Sequence, residues 1–502
     1  MNKTRLICTA TAIITLAMPA KAGGLLTNTN QSINFLRNPA RDATLSIDGV
    51  YSNPAGVVFL DQGFHFSVNL QNAHQTRTIH TGYPLFVNNA NNQSAVHEYE
   101  GKADAPIIPS IQAAYNHGKW SVQFNFALVG GGGKCEFANG LGSFEKVVAG
   151  IPTYANDINT LYNTLGAMGL PGMSGQQMGS RYDYQSFMRG RQYYYGFTLG
   201  AAYKLSDNLS VYGGVKMLYG SSNYYGYVKN ISIESISNGA STIVPAAAYF
   251  ENLGNQLNRY AGAMEQAGNH AAAQQLSAYA DKAQQLSQGT QDIELNCDQT
   301  GWGVAPIIGV NYRLGKLNLA AKYEFKTRMR LKNKAANSLS ADNISMLDKF
   351  RDGQQVAEDT PSLLTVGGQY EVTSALRVMA GWHHYFDVDT KQYTKNMLSD
   401  TNEYLAGIEY DVNKRIQVSA GGQRTLYGYK ADGMNDISFN VNSWSVGVGV
   451  GVNVTEKVKI NAGYFHTFYG KFNKTEGEAP AVTTNEFTRS NRVFGLGVDF
   501  SL

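Results

Sequence analysis

The stretch SWSVGVGVGVNV (Ser443–Val454) decides the architecture. Trp444, Val446, Val448, Val450 and Val452 fall on one face of an extended chain, and Ser443, Ser445, Gly447, Gly449 and Gly451 on the other. The same period of two runs through QYYYGFTLGAAY (Gln192–Tyr203) and WSVQFNFAL (Trp120–Leu128). In a soluble sandwich such strands would span about 5–6 residues and face a second sheet. Here they run for ten residues or more, with aromatics at the ends of the apolar face, as in a membrane β-barrel with lipid outside and small or polar side chains inside.

Repeating the reading along the chain places fourteen strand cores at 63–79, 106–116, 119–131, 191–205, 208–221, 300–314, 317–331, 362–373, 376–388, 402–412, 415–428, 442–454, 457–469 and 488–502. The connections supply a second signal. Asn116-His117-Gly118, Ser206-Asp207, Gly315-Lys316, Thr373-Ser374-Ala375, Asn413-Lys414 and Thr455-Glu456 are short, and the connections between them are long. Strict alternation of short and long links is the asymmetry between periplasmic turns and extracellular loops, and it places both termini on the periplasmic side. The expected fold is an all-β, 14-stranded antiparallel transmembrane barrel occupying 62–502, in a bacterial outer membrane.

Composition agrees with that class. Charged residues make up 16% of the 502, below the usual value of about 25%. A net charge of +3 gives no basis for binding nucleic acid. Residues 1–22 read as a secretory signal peptide: Lys3 and Arg5, an apolar Leu6–Met18, then Ala20-Lys21-Ala22. Cys8 lies inside that segment. Cys135 and Cys297 would then sit at the outer rim, to pair across two long loops or to remain thiols. The longer loops are 132–190 and 222–299. Within the second, about 245–290 is rich in Ala, Gln and Leu, with Leu253, Leu257, Tyr260 and Met264 at helical spacing and Gly268-Asn269 as a break. That reads as a helical hairpin above the barrel mouth, either a ligand collector or a decoration packed on other loops.

Residues 23–61 do not alternate, yet carry Leu25, Leu26, Ile33, Phe35, Leu36 and Ile47. A fourteen-stranded barrel is too wide for side chains alone to fill, so this segment is read as a plug inside the lumen. Asn53-Pro54-Ala55-Gly56 would be the turn that delivers the chain to the first strand.

A signal peptide, a glycine-rich start, a segment closing in Asn53-Pro54-Ala55-Gly56 with Asp48 and Ser52 upstream, and fourteen strands together resemble the outer-membrane long-chain fatty-acid transporter (FadL) family over nearly the whole chain. The resemblance implies an N-terminal hatch, a hydrophobic collecting groove among outer loops, and a pocket near the hatch N-terminus. It also implies apolar cargo such as fatty acids, released through the barrel wall beside an inward kink in the third strand. Gly130-Gly131-Gly132-Gly133 ends the expected third strand and would permit a bend there. The helix-rich insertion and the Phe500-Ser501-Leu502 terminus depart from the family pattern.

Strand parity turns Lys204, Lys216, Lys322, Glu324, Lys326, Arg377, Glu409, Lys459 and Asp499 inward. A carboxylate cargo would use a cation as counter-ion, and Lys216, Lys322 and Arg377 are the candidates, with Phe35, Tyr212 and Met379 lining the pocket. The alternative is a structural network pairing Lys322 with Glu324 and bracing the plug through Arg37, Arg41 and Asp42. His383-His384 and Asp387 suggest a barrel enzyme, but adjacent strand residues face opposite sides and no G-x-S-x-G accompanies them. No cofactor and no metal cluster is expected. The expected partners are hydrophobic small molecules and outer-membrane lipid, and the expected state is a monomer. A general porin, haem uptake and an adhesin are the competing readings.

Overall fold

The computed structural model describes residues 27–336, 350–391 and 398–502. The signal peptide at 1–22, with Cys8, and the first plug residues, with Leu25 and Leu26, lie outside the described residues. Fourteen strands form the wall: β1 Gly63–Gly82, β2 Val96–His117, β3 Trp120–Phe137, β4 Gln176–Lys204, β5 Leu209–Ser237, β6 Ile293–Leu314, β7 Leu317–Glu324 continued as Arg330–Ala335, β8 Gln355–Ala357 continued as Leu363–Glu371, β9 Leu376–Tyr385, β10 Thr401–Asp411, β11 Ile416–Leu426, β12 Ser443–Asn453, β13 Val458–Tyr469 with an appended Phe472–Glu476, and β14 Thr483–Ser501. Each pairs antiparallel with its sequence neighbour, and β1 pairs with β14 from His65↔Ser501 to Gly82↔Thr484, which closes the barrel.

The alternation sorts as physical chemistry requires. Trp444, Val446 and Val448 are 60%, 49% and 45% exposed on the outside, while Ser443 and Ser445 are buried. Trp120, Val122, Leu199, Trp302, Ile308, Tyr404 and Leu496 continue the outward apolar belt, a surface that lipid covers and water does not. Among the described residues no helix is long and apolar enough to cross a membrane.

The inward glycines have a specific task. Helix α1 (Ile33–Arg37), whose Ser32 Oγ accepts a capping hydrogen bond from Phe35 N at 3.2 Å, lies against the inner faces of β12, β13 and β14. A Cβ on Gly447 would stand 2.4 Å from Leu36 O, and one on Gly449 2.3 Å from Arg37 Cγ. The Val-Gly repeat is therefore a wall whose outside meets lipid and whose inside leaves room for the backbone of the plug.

The rest of the plug is pinned to the wall by polar contacts. Arg37 donates to Ser419, Asn461 and Gln417 at 3.0, 2.6 and 2.9 Å. Arg41 pairs with Asp48 and with Glu409 of β10 at 2.8 and 2.6 Å. After α2 (Gly49–Ser52) comes the Asn53-Pro54-Ala55-Gly56 turn. Asn53 Nδ2 donates to Asn311 of β6 at 2.7 Å, Pro54 O accepts from Gln123 of β3 at 2.8 Å, and Ala55 O accepts from Ser210 of β5 at 2.6 Å. Three strands thus hold one turn, directly before β1 begins.

At the loop end, β4 and β5 each run 29 residues, about three times the 9–11 needed to span a bilayer. Their tips carry a helical cap: α3 Gly142–Ala149, α4 Ala155–Ala167, α5 Ala246–Gln266 and α6 His270–Gly289. The α5–α6 hairpin falls where the sequence places it, with Gly268 at φ +77° in the break. Helices α3 and α4, in the 132–190 loop, are additional to that hairpin, and Ile158, Leu161, Tyr162 and Leu165 recur at helical spacing in α4.

The two thiols are free, which corrects the alternative of a rim disulfide. Cys135 faces Gly190, Gly190 faces Tyr224, and Tyr224 faces Cys297 along one ladder row. Three strand spacings put their Cα atoms about 14 Å apart, and a disulfide needs less than about 7 Å.

Candidate functional site

A cavity of about 290 Å³ lies inside the barrel on the loop side of the plug. Its floor is Thr27–Asn30 and Phe35, its walls include Phe137, Tyr224, Phe465 and Tyr469, and Ile437–Asn440 of the 427–442 loop closes it from above. That loop folds inward because Ile437 and Phe439 bury themselves against Ile79, Tyr99 and Phe487.

Two cations face this cavity, Arg77 of β1 and Arg489 of β14, directly opposite each other in the ladder. Arg77 lies 5.6 Å from the Phe439 ring, and Arg489 lies 5.0 Å from the Tyr469 ring and donates to Asn440 Oδ1. Neither Nε finds a hydrogen-bond acceptor, and among the described residues neither guanidinium has an ion-pair partner. Two half-buried like charges side by side, with no ion-pair partner among the described residues, can hold an anion. Glu403 also lines the cavity, but it is already committed: it accepts from Tyr385, Gln423 and Thr425 and contacts His383 Nδ1 at 2.9 Å.

The cations expected from strand parity do face inward, but they hold protein carboxylates. Lys216 and Lys322 both pair with Glu324, at 2.5 and 2.8 Å, and Lys322 also donates to Tyr51 O at 2.7 Å. Around them and Tyr212 there remains only about 10 Å³, room for a single water. Arg377 grips Asp411 through two nitrogens at 2.8 and 2.9 Å and faces the opposite side of the plug. Met379 packs on the plug, where Asn38 Nδ2 reaches its Sδ at 2.8 Å. Of the six residues named from sequence for cargo binding, Phe35 alone lines the main cavity, which Cys135 also borders. Arg77 lies inside the expected first strand, 63–79, but Asn72–Thr78 is polar on both faces and gives parity no apolar side to orient it. Arg489 was missed because its partner lies 412 positions away along the chain.

The wall beside the cavity is open between two strands. The β2–β3 ladder runs from Ser110↔Ala127 to His117↔Trp120 and resumes only at Ala103↔Cys135. Residues 104–109 of β2 have no ladder partner on β3, and Pro106 and Pro109 there have no N–H to donate. On β3 the register against β4 slips twice, between Leu128 and Gly130 and between Gly131 and Gly133, with Gly131 at φ +67°. The tetraglycine therefore lies within a strand that continues to Phe137, rather than at its end. The plug fills the inside of the bend: Asn28 N donates to Val129 O at 2.9 Å, Asn28 Nδ2 to Gly131 O at 3.0 Å, and Thr27 bridges Gly130. Ala105, Ile108, Gly131 and Gly133 belong at once to this break and to the cavity lining.

A second concavity, of about 470 Å³, lies in the cap between α4 and the α5–α6 hairpin. It is lined by Ile158, Leu161, Leu165, Phe250, Leu276 and Leu286, among others, with Lys282 and Asp157 as its charged residues. Below the plug a third space of about 900 Å³ is lined by Arg41, Arg377, Glu409, Asp411, Lys459 and Asp499.

The histidine pair does not build a triad. His383 is held inside between Asp42 of the plug and Glu403, at 2.8 and 2.9 Å, while His384 contacts Asn402 and the Trp382 ring. Asp387 accepts from Thr401 N at 3.2 Å. Among the described residues no hydroxyl hydrogen-bonds either histidine, and no group of His, Cys, Asp and Glu is placed to hold a metal.

Among solved structures the chain resembles a FadL homologue of Pseudomonas aeruginosa, at 10% identity and TM-score 0.58, over 95% of this chain and 99% of that one. It also resembles the TodX monoaromatic hydrocarbon channel in a deltaS2 mutant, at 12% identity and TM-score 0.51, over 96% and 99%. No family model matches the chain, and no curated protein matches it in sequence. The chain thus shares the fold of these two proteins.

Proposed function

We propose that the protein is a bacterial outer-membrane channel for passive uptake of hydrophobic molecules that carry an anionic head, long-chain fatty acids being the class that fits. The observation that carries this reading is the lumen cavity, with Phe35, Phe137, Phe439 and Phe465 set among its polar side chains, its unneutralised Arg77–Arg489 pair and the broken β2–β3 wall beside it. The loop end with the helical cap faces the exterior, and both termini face the periplasm.

Cargo first settles in the apolar groove between α4 and α5–α6, where burial stabilises a chain by about 25 cal/mol per Å². Lys282 supplies a cation at that site. The cargo then passes into the lumen cavity, carboxylate toward Arg77 and Arg489, tail toward Phe35 and Phe465. Occupying the floor at Thr27–Asn30 displaces the hydrogen bonds that tie the plug to the β3 bend. Release is lateral, through the β2–β3 break into the membrane. The alternative, downward past the plug, leads an apolar chain into a space walled by charges. A general porin for polar solutes has no use for a plug seated by buried ion pairs. Neutral aromatic cargo is a second reading, supported by the predominantly apolar lining of the cap groove.

The test is uptake of labelled oleate beside a labelled disaccharide in cells that lack their own fatty-acid channel and express this chain. Oleate without sugar is the expected result. Sugar uptake means an open porin, and exclusion of both by a folded barrel sinks the fatty-acid reading.

A further inference from the structure

The outer wall carries a feature that transport does not use. The first segment of β7 spends its outward positions on Leu317, Leu319, Ala321 and Tyr323, followed by Phe325, which covers about the 9–11 residues of a spanning strand. A bulge follows, and the next outward positions are Arg328, Arg330, Lys332 and Lys334, all exposed. Between them Met329 and Leu331 are fully buried against Val129, Tyr194 and Leu218. That inner packing fixes the strand and holds the four cations on the outside. From Arg328 to Lys334 the column is about 20 Å long.

A polar row crosses this column at its top. Lys334 faces Asp298 of β6, which faces Asn223 of β5, which faces Arg191 of β4, which faces Lys134 of β3. Three acids near the column are already engaged. Asp359 is buried and holds Arg330 at 2.9 Å, Asp352 accepts from Ala335 N at 3.0 Å, and Asp298 lies 3.9 Å from Arg191. Among the described residues Arg328, Lys332 and Lys334 have no ion-pair partner. Cations on a lipid-facing wall cost about 2–4 kcal/mol at the bilayer midplane and almost nothing at the interface, so this column belongs at headgroup level.

We infer that the Arg328–Lys334 column is a binding site for the phosphorylated glycolipid of the outer leaflet. Its cations take the phosphates, and the exposed Asp298, held by Asn223 Nδ2 at 2.9 Å, lies where a sugar hydroxyl would come. Charge complementarity and position just beyond the apolar belt select this occupant over a soluble anion. The inference rests on the outer-membrane placement proposed above and not on the identity of the cargo.

The test uses the full-length protein in detergent and reads lipid retained on the intact barrel by native mass spectrometry. The probes are diphosphoryl lipid A, the same lipid dephosphorylated, and phosphatidylglycerol. The variant R328Q/K332Q/K334Q leaves Arg330 on its buried Asp359. The control K414Q/R415Q/K457Q removes equal charge at the short-turn end. At about 1 kcal/mol per cation the first variant should retain diphosphoryl lipid A roughly a hundredfold more weakly, with the control unchanged and the dephosphorylated lipid not retained. Should the triple variant fail to fold, Lys332→Gln and Lys334→Gln singly should each weaken retention roughly fivefold. Unchanged retention in the folded variant, equal loss in the control, or equally strong and equally sensitive binding of phosphatidylglycerol would each overturn the assignment.

Discussion

Arg77 and Arg489 show how a charge becomes functional by exclusion. Lys216, Lys322, Arg377 and Arg41 each have a carboxylate partner within 2.8 Å, so their positive charge is spent inside the protein. The Arg77–Arg489 pair keeps its charge for a ligand. A hydrogen bond to a charged group contributes about 1.5–3 kcal/mol, so Arg77→Gln or Arg489→Gln should weaken oleate binding roughly tenfold or more. Binding of a neutral alcohol of the same length should hardly change. Titration of both ligands with the purified variants checks this, and equal loss for acid and alcohol would assign the arginines to packing. In the cap, Glu145 of α3 offers a pH test. Burial acts to raise its pKa, but hydrogen bonds from Tyr99, His97 and Asn89 outweigh it and hold the carboxyl below its ordinary value of 4.5. A lowered folded pKa contributes stability that is present above 4.5 and lost as pH falls through the folded value. Hydrogen exchange at 84–99 and in α3 should therefore accelerate below about pH 4.5, and Glu145→Gln should be loose at every pH. Pattern alone cannot tell a committed cation from a free one, because the partner comes from a strand hundreds of residues away.

At the scale of elements, the break between β2 and β3 is encoded by residues that refuse a ladder. Pro106 and Pro109 have no N–H, and Gly131 adopts a φ of +67° with no room for a Cβ, which would lie 2.3 Å from Gln192 O. The double substitution Pro106→Thr plus Pro109→Thr restores two donors and should tighten the seam. Oleate binding should persist while uptake slows, and unchanged uptake would count against lateral release. The α5–α6 hairpin is a second separable element. It packs on α4 and on the tips of β4 and β5, well away from the plug. Deleting 246–289 should lower uptake at low oleate concentration and leave the barrel folded; loss of the barrel would show that the cap is integral to it. The hairpin was legible because helix spacing and a Gly-Asn break are local signals. The β3 bend was legible only as four glycines, since strand length and register depend on which neighbours β3 can and cannot reach.

The whole molecule is a wall and a plug made for each other. The inner glycine face of β12 matches the backbone of α1, and the Asn53-Pro54-Ala55-Gly56 turn is held by β3, β5 and β6 together. Gly447→Ala would place its methyl 2.4 Å from Leu36 O and should unseat the plug without disturbing the outer face. Disaccharide leak into expressing cells is the readout, with the outward Val448→Ala as a control that stays sealed. The fourteen strands, their faces, the alternation of short turns with long loops, the plug and the helical hairpin followed from sequence alone. Each is a pattern with a period of two or 3.6, or a turn residue, and such patterns are set by bonds between near neighbours in the chain. Tertiary structure decided which cations stay unpaired, that Cys135 and Cys297 sit three strands apart, and where the wall opens. Those outcomes depend on the register of one strand against the next and on the seating of the plug, contacts that no local pattern specifies.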